Sequence, residues 1–158
     1  MRWPAWLAIA IVALITIQIG GWITPRGRRW FLRLRRPSWL TFEGAIPVIW
    51  TIIFLCGTVS AWLVWQAAPG TATTWRLMGL YWLVELAIAL YTPLTCNLRS
   101  LLAGTLVGAT GTLLGAILFV LVWPVSRPAT LLLVPYLLWS PIGTYVTWDM
   151  IRLNPGNA

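Results

Sequence analysis

Histidine and lysine are absent, and only three acidic residues, Glu43, Glu85 and Asp149, occur in 158 positions. Without histidine the commonest general base and metal ligand is missing, and the carboxylates do not pair at one end of the chain, so hydrolase and metal sites lack their usual parts. No glycine-rich phosphate loop is present, which removes the usual nucleotide site. The two cysteines, Cys56 and Cys96, both fall inside apolar runs at no metal spacing; reduced packing thiols are expected. A haem would lack its common histidine ligand, and no other axial ligand stands out. Charge of any sign is scarce, at 9% of residues, where a soluble domain carries about one quarter.

Apolar residues fill that space, at 59% of the chain. A run of about 20 such residues crosses a bilayer as a helix, because a rise of ~1.5 Å per residue covers ~30 Å. Five runs qualify: 5–23, 45–65, 77–98, 101–123 and 129–151. The expected fold is therefore all-α, a polytopic five-helix membrane bundle, with residues 1–158 as one domain and a long loop over 24–44. The first run follows Arg2, as a signal peptide would, but it is long for one and Ile19-Gly20-Gly21-Trp22-Ile23-Thr24-Pro25 offers no small-x-small cleavage site, so it is read as a helix. Pro93, Pro135 and Pro141 fall inside spans and predict kinks.

All eleven cations are arginine. With five spans, Arg2, Arg76 and Arg127 share one side, and Arg26, Arg28, Arg29, Arg33, Arg35, Arg36, Arg99 and Arg152 share the other. The richer side is expected in the cytoplasm, which places the first loop and the C-terminus there and the N-terminus outside. The short Arg99 turn makes the third and fourth helices antiparallel neighbours. Within the loop, six arginines alternate with Trp30, Phe31, Leu32 and Leu34. That mixture suits a segment lying on headgroups; it also suits guanidinium groups at the mouth of a pocket, where they pair with carboxylates. No soluble binding fold accompanies it, and no nucleic-acid partner is expected.

Thirteen tryptophans are present. Trp3, Trp6, Trp22, Trp65, Trp75, Trp123 and Trp148 lie near span ends, where indoles favour the headgroup level. Trp50, Trp82 and Trp139 lie within spans and need another reason. Pro47, Trp50, Phe54, Gly57 and Ala61 recur at spacings of three and four and share one helix face, as do Pro135, Trp139, Gly143 and Val146. Either interhelical packing or a pocket wall accounts for such stripes. Gly104, Gly108, Gly111 and Gly115 form a narrow stripe that admits a close backbone, with intramolecular packing favoured over contact with a second chain. Glu85 stands near mid-membrane, where a carboxylate is costly and a ligand or proton role competes with an interhelical bond, Tyr81 being the nearest donor in sequence. Asp149 and Arg152 are three apart and suit an interfacial salt bridge.

Pro37-Ser38-Trp39, Trp50-Thr51, Pro93, Pro135-Tyr136-Leu137-Leu138-Trp139, then Tyr145, Trp148 and Arg152-Leu153-Asn154, in that order, resemble the TspO/MBR family of tryptophan-rich sensory or translocator proteins, also called the peripheral benzodiazepine receptor family. The resemblance covers essentially the whole chain. It implies a five-helix bundle that forms a homodimer and binds porphyrins such as protoporphyrin IX and haem, and in some members sterols, in a pocket beneath the first loop. By that resemblance Trp39, Trp50, Phe54, Ile88, Tyr91, Trp139 and Gly143 are expected in the pocket, with Arg36 and Glu85 as further possibilities. Trp50 and Trp139 match the tryptophans tied to light-dependent porphyrin breakdown in some bacterial members, and would be catalytic only if that reaction occurs here. No metal and no obligatory cofactor are expected; porphyrin or haem would be a ligand.

The chain departs from the family pattern where a proline pair is usual, having Thr41 and Phe42, and where asparagines are common, having Ile88 and Thr147. Tyr145 and Arg152 are too far apart for a cholesterol motif, which weakens the sterol reading. Residues and resemblance agree on a flat apolar macrocycle with carboxylates at its edge. Three roles are open at this point: tetrapyrrole transport or sensing, light-dependent porphyrin degradation, and a small proton-coupled efflux transporter or scaffold with Glu85 as the coupling acid.

Overall fold

A computed structural model describes residues 4–157. Arg2 and Trp3, which enter the topology and interface arguments above, lie outside the described residues. The chain is helical throughout, with no strand among the described residues, as the apolar runs predict. Helix α1 (Ala5–Gln18) continues as a 3-10 turn over Ile19–Gly21. After a bend of 75° comes α2 (Pro25–Leu32). Then follow α3 (Ile46–Ala67), α4 (Ala72–Leu98), α5 (Leu101–Val122), the short α6 (Arg127–Leu131) and α7 (Val134–Leu153). Four units, Glu43–Ala67, Ala72–Leu98, Leu101–Val122 and Arg127–Leu153, are long and apolar enough to cross a membrane. The bent pair α1 and α2 makes five when counted as one span.

Local chemistry explains most boundaries. Thr24, Thr71, Ser100 and Ser126 each turn a side-chain oxygen onto a backbone N–H in the first turn of the helix that follows, satisfying a donor with no intrahelical partner. Three expectations need correction. The loop over 24–44 contains a helix, because Thr24 caps it and Pro25 supplies a preset φ at its first position. The third span begins at Ala72 rather than 77, since the Thr71 cap outweighs the break in hydropathy at Arg76. The last span is not one helix: a break over Leu132–Leu133 separates α6 from α7, and Pro135 begins α7 in its first turn, where its missing N–H costs nothing.

Helix α5 packs most closely, between α4 and α7. Its glycine stripe makes this possible, and the partners belong to the same chain, in line with the intramolecular expectation. A Cβ on Gly104 would strike Thr95 of α4 and lie 3.2 Å from Thr147 of α7. One on Gly108 would lie 2.6 Å from the Thr144 hydroxyl, and one on Gly115 would enter the Tyr136 ring. By contrast α3 approaches α4 and α7 at few places, so space remains between them.

The first loop is tied to the C-terminal end. Asn154 accepts from the Arg35 backbone N–H at 2.8 Å and donates to the Arg35 carbonyl at 3.0 Å and the Met150 carbonyl at 2.8 Å. Asn157 accepts from the Trp30 indole at 2.7 Å, and its carbonyl accepts from Leu101 N–H at 3.0 Å. Asn97 clamps the start of α2 in the same way, accepting from Thr24 N–H and donating to the Trp22 carbonyl. Asn154→Ala is expected to free the loop, losing ~0.5–1.5 kcal/mol for each hydrogen bond. Faster tryptic cleavage after Arg33 and Arg35 would report it; an unchanged rate would show that other contacts hold the loop.

Candidate functional site

A cavity of about 600 Å³ lies among α3, α4, α5 and α7 beneath the first loop. Its size falls within the ~300–1,000 Å³ of typical small-molecule sites. Pro47, Trp50 and Phe54, one stripe of α3, form one wall. Ile88 and Tyr91 of α4 form another, and Trp139, Gly143, Val146 and Thr147 of α7 a third. Gly108 and Gly111 of α5 close the back, where their missing side chains let Thr144 and Tyr136 of α7 pack close. Phe31, Arg36, Leu40 and Glu43 form the roof.

Of the residues expected from the sequence, the cavity brings together Trp50, Phe54, Ile88, Tyr91, Trp139, Gly143 and Arg36. Trp39 is not in its wall. That indole donates to Asp149 at 3.1 Å, and the ring packs against Tyr145 with centroids 5.8 Å apart. Tyr145, Trp148 and Asp149 occupy the face of α7 opposite Trp139 and Gly143, so Trp39 fastens the loop to the outside of the helix. Asp149 also lies 4.0 Å from Arg152, the interfacial pair expected from their spacing. Phe42, not Trp39, meets the pocket tryptophan, edge-on to Trp139 at 6.1 Å. Glu85 lines a separate cavity further along α4. Tyr81, its expected hydrogen-bond donor, instead pairs with Ser60 at 2.5 Å.

Polar groups in the wall are mostly satisfied by one another. Tyr91 hydrogen-bonds Thr147, and Thr112 pairs with Ser140 at 2.8 Å. Arg36 pairs with Glu43 at 2.8 Å and lies over the Phe31 ring, 4.6 Å from its centroid. Trp139 is the exception: its indole N–H is buried and has no hydrogen-bond partner. A buried donor left unpaired costs about 1–3 kcal/mol. Glu43 and Thr147 are wall residues that sequence reasoning did not nominate. Thr147 was readable, four positions beyond Gly143 on the same face; Glu43, seven residues from Arg36 in irregular chain, carries no periodic signal. Among the described residues no group of histidine, cysteine or carboxylate side chains could hold a metal ion.

Residues 7–153 match the model of the TspO/MBR family. The chain belongs to that family. Among its relatives, protein CrtK of Rhodobacter capsulatus is 31% identical over 129 residues, covering 80% of this chain and 79% of CrtK. The tryptophan-rich protein TspO of Chlorobaculum tepidum is 29% identical, covering 94% of this chain and 96% of its own. The uncharacterized membrane protein YtaB of Bacillus subtilis is 25% identical, covering 94% and 95%. Family and apolar helices together make this TspO/MBR chain an integral, multi-pass membrane protein.

Proposed function

We propose that the protein binds tetrapyrroles, protoporphyrin IX or haem, in the cavity beneath the first loop and acts in porphyrin transport or sensing. The observation that carries this reading is an aromatic cavity, lined by Trp50, Phe54 and Trp139, whose roof holds an arginine–carboxylate pair. Trp50, Phe54, Tyr91 and Trp139 offer ring faces to a flat apolar macrocycle. Arg36 already holds a carboxylate. Its bond to Glu43, whose side chain is half exposed, is of a kind worth about 0–1 kcal/mol, so a carboxylate on the macrocycle edge can take that place at little cost. Tyr91 and Thr147 satisfy each other, which leaves Arg36 as the polar anchor and favours an acid-bearing ligand over a sterol.

A homodimer, which the resemblance implies, is the working form in this reading. The arginine distribution supports a cytoplasmic first loop and C-terminus with the N-terminus outside. Titrating the purified protein with protoporphyrin IX, haem and cholesterol side by side tests the reading. Saturable binding of the two tetrapyrroles, with cholesterol weaker, is expected; absence of saturable porphyrin fluorescence quenching would overturn it.

A second reading, light-dependent porphyrin degradation, is favoured by the presence of Trp50 and Trp139 in two walls of one cavity, where both can meet an excited macrocycle. Illuminating the protoporphyrin complex in air and following the appearance of a bilin-like absorbance distinguishes turnover from binding alone.

A further inference from the structure

A second and larger cavity, about 900 Å³, lies on the other side of a partition made by Phe54, Ile88 and Tyr136, which line both spaces. Helices α1, α3 and α4 bound it, together with the helix break at Leu132–Leu133. Its wall includes Val12, Trp75 and Trp82, which are exposed, so it is open to the surroundings of the bundle. Glu85 is the single charged residue lining it. Other polar groups nearby are satisfied: Tyr81 pairs with Ser60, and the Thr58 hydroxyl donates to the Phe54 carbonyl at 2.8 Å. The Glu85 carboxyl makes no hydrogen bond or ion pair among the described residues, whose two salt bridges join other side chains.

A carboxyl in an apolar cavity is neutralised by a proton or by a positive partner, and among the described residues no arginine lines this one. A cationic partner from outside the chain can reach it through the open side of the cavity. An inorganic cation needs several oxygen ligands, and Glu85 stands alone. A lipid headgroup ammonium stays at the interface, whereas Glu85 is the midpoint of α4, about 20 Å along the helix from either end at 1.5 Å per residue. An apolar organic cation meets both conditions, since its body can enter the cavity while its charge reaches the acid. Trp65, Trp75, Tyr81 and Trp82 supply the aromatic surface that attracts such cations.

We propose that this cavity is a second ligand site, independent of the tetrapyrrole site, which takes a free apolar organic cation whose charge pairs with Glu85. The test uses the full chain in nanodiscs, with empty nanodiscs as the partition blank, and equilibrium dialysis of radiolabelled tetraphenylphosphonium. Saturable binding is expected, with uncharged tetraphenylmethane failing to compete. Glu85→Gln should weaken binding by about tenfold or more, and Glu85→Asp should retain most of it. A Cβ on Gly57 meets nothing within 4 Å, so Gly57→Leu places bulk in the cavity without a backbone clash and should also abolish binding. The proposal is overturned if the parent protein shows no saturable binding, if Glu85→Gln binds as the parent does, or if tetraphenylmethane displaces the cation. Should Glu85→Gln lose its helical circular dichroism, Gly57→Leu decides alone, and retained binding in that variant overturns the proposal.

Discussion

Trp139→Ala is expected to weaken protoporphyrin IX binding about tenfold while the helical circular dichroism is retained, and Trp50→Ala to do the same. Each substitution removes one ring from the cavity wall. Stacking of one aromatic pair contributes ~0.5–1.5 kcal/mol beyond the burial of its area, and ~1.4 kcal/mol is a factor of ten in affinity. Both tryptophans are only partly buried and flank the main core cluster, so the fold survives their truncation. Trp139 has a second role to separate out. Trp139→Phe keeps a ring but deletes the N–H, and a hydrogen bond of ~0.5–1.5 kcal/mol lost there corresponds to about two- to tenfold. An intermediate affinity for Trp139→Phe would assign the donor to the ligand; parent-like affinity would mean the indole acts through its face alone. Trp82→Ala is the internal comparison, since Trp82 is exposed and outside this wall. Parent-like quenching in both Trp50→Ala and Trp139→Ala would remove the porphyrin from this cavity.

How far such a site can be read ahead of its structure depends on whether its residues sit on regular helix. Trp50 and Phe54, or Trp139 and Gly143, are four apart on continuous helices, and that spacing alone puts each pair on one face. Apolar runs marked the spans because backbone groups in lipid must be paired within their own segment, which leaves helix as the solution for uninterrupted apolar chain. The first loop had no such constraint. Its arginines mask α2, although Thr24 and Pro25 carry the capping signal, and no periodicity bears on the direction of Trp39, which the family resemblance alone puts in the pocket. Glu85 was legible as an oddity but not as the occupant of a different cavity. Its distance from Ile88 is less than one turn, and only the partition formed with Phe54 and Tyr136, on two other helices, separates the two spaces. The glycine stripe shows the same limit: small residues announce a close approach without naming the backbone that makes it.

That stripe supports the second large effect. Gly115→Ala is expected to lower stability by about 1–3 kcal/mol, the usual range for an added methylene in a packed interior, and Gly115→Leu by more. The new Cβ would enter the ring of Tyr136, with its Cδ1 at 2.8 Å. Tyr136 is 5% exposed and belongs to the main core cluster, so the ring cannot swing into open space without losing its own packing. It also stands in the partition between the two cavities, so a displaced ring would alter both binding sites together. A double substitution separates this clash from any effect on helix propensity. With Tyr136→Leu already present, Gly115→Ala should cost much less than in the parent, a coupling that contacting residues show and distant ones do not. Gly79→Ala, where a Cβ meets nothing within 4 Å, should be neutral or stabilising by up to about 1 kcal/mol, because alanine forms helix better than glycine. Thermal unfolding in one fixed detergent, followed by circular dichroism, compares these variants with the parent. If Gly115→Ala unfolds at the parent's temperature, α5 and α7 are not in close contact at this position, and the account of how the glycine stripe seats α7 fails with it.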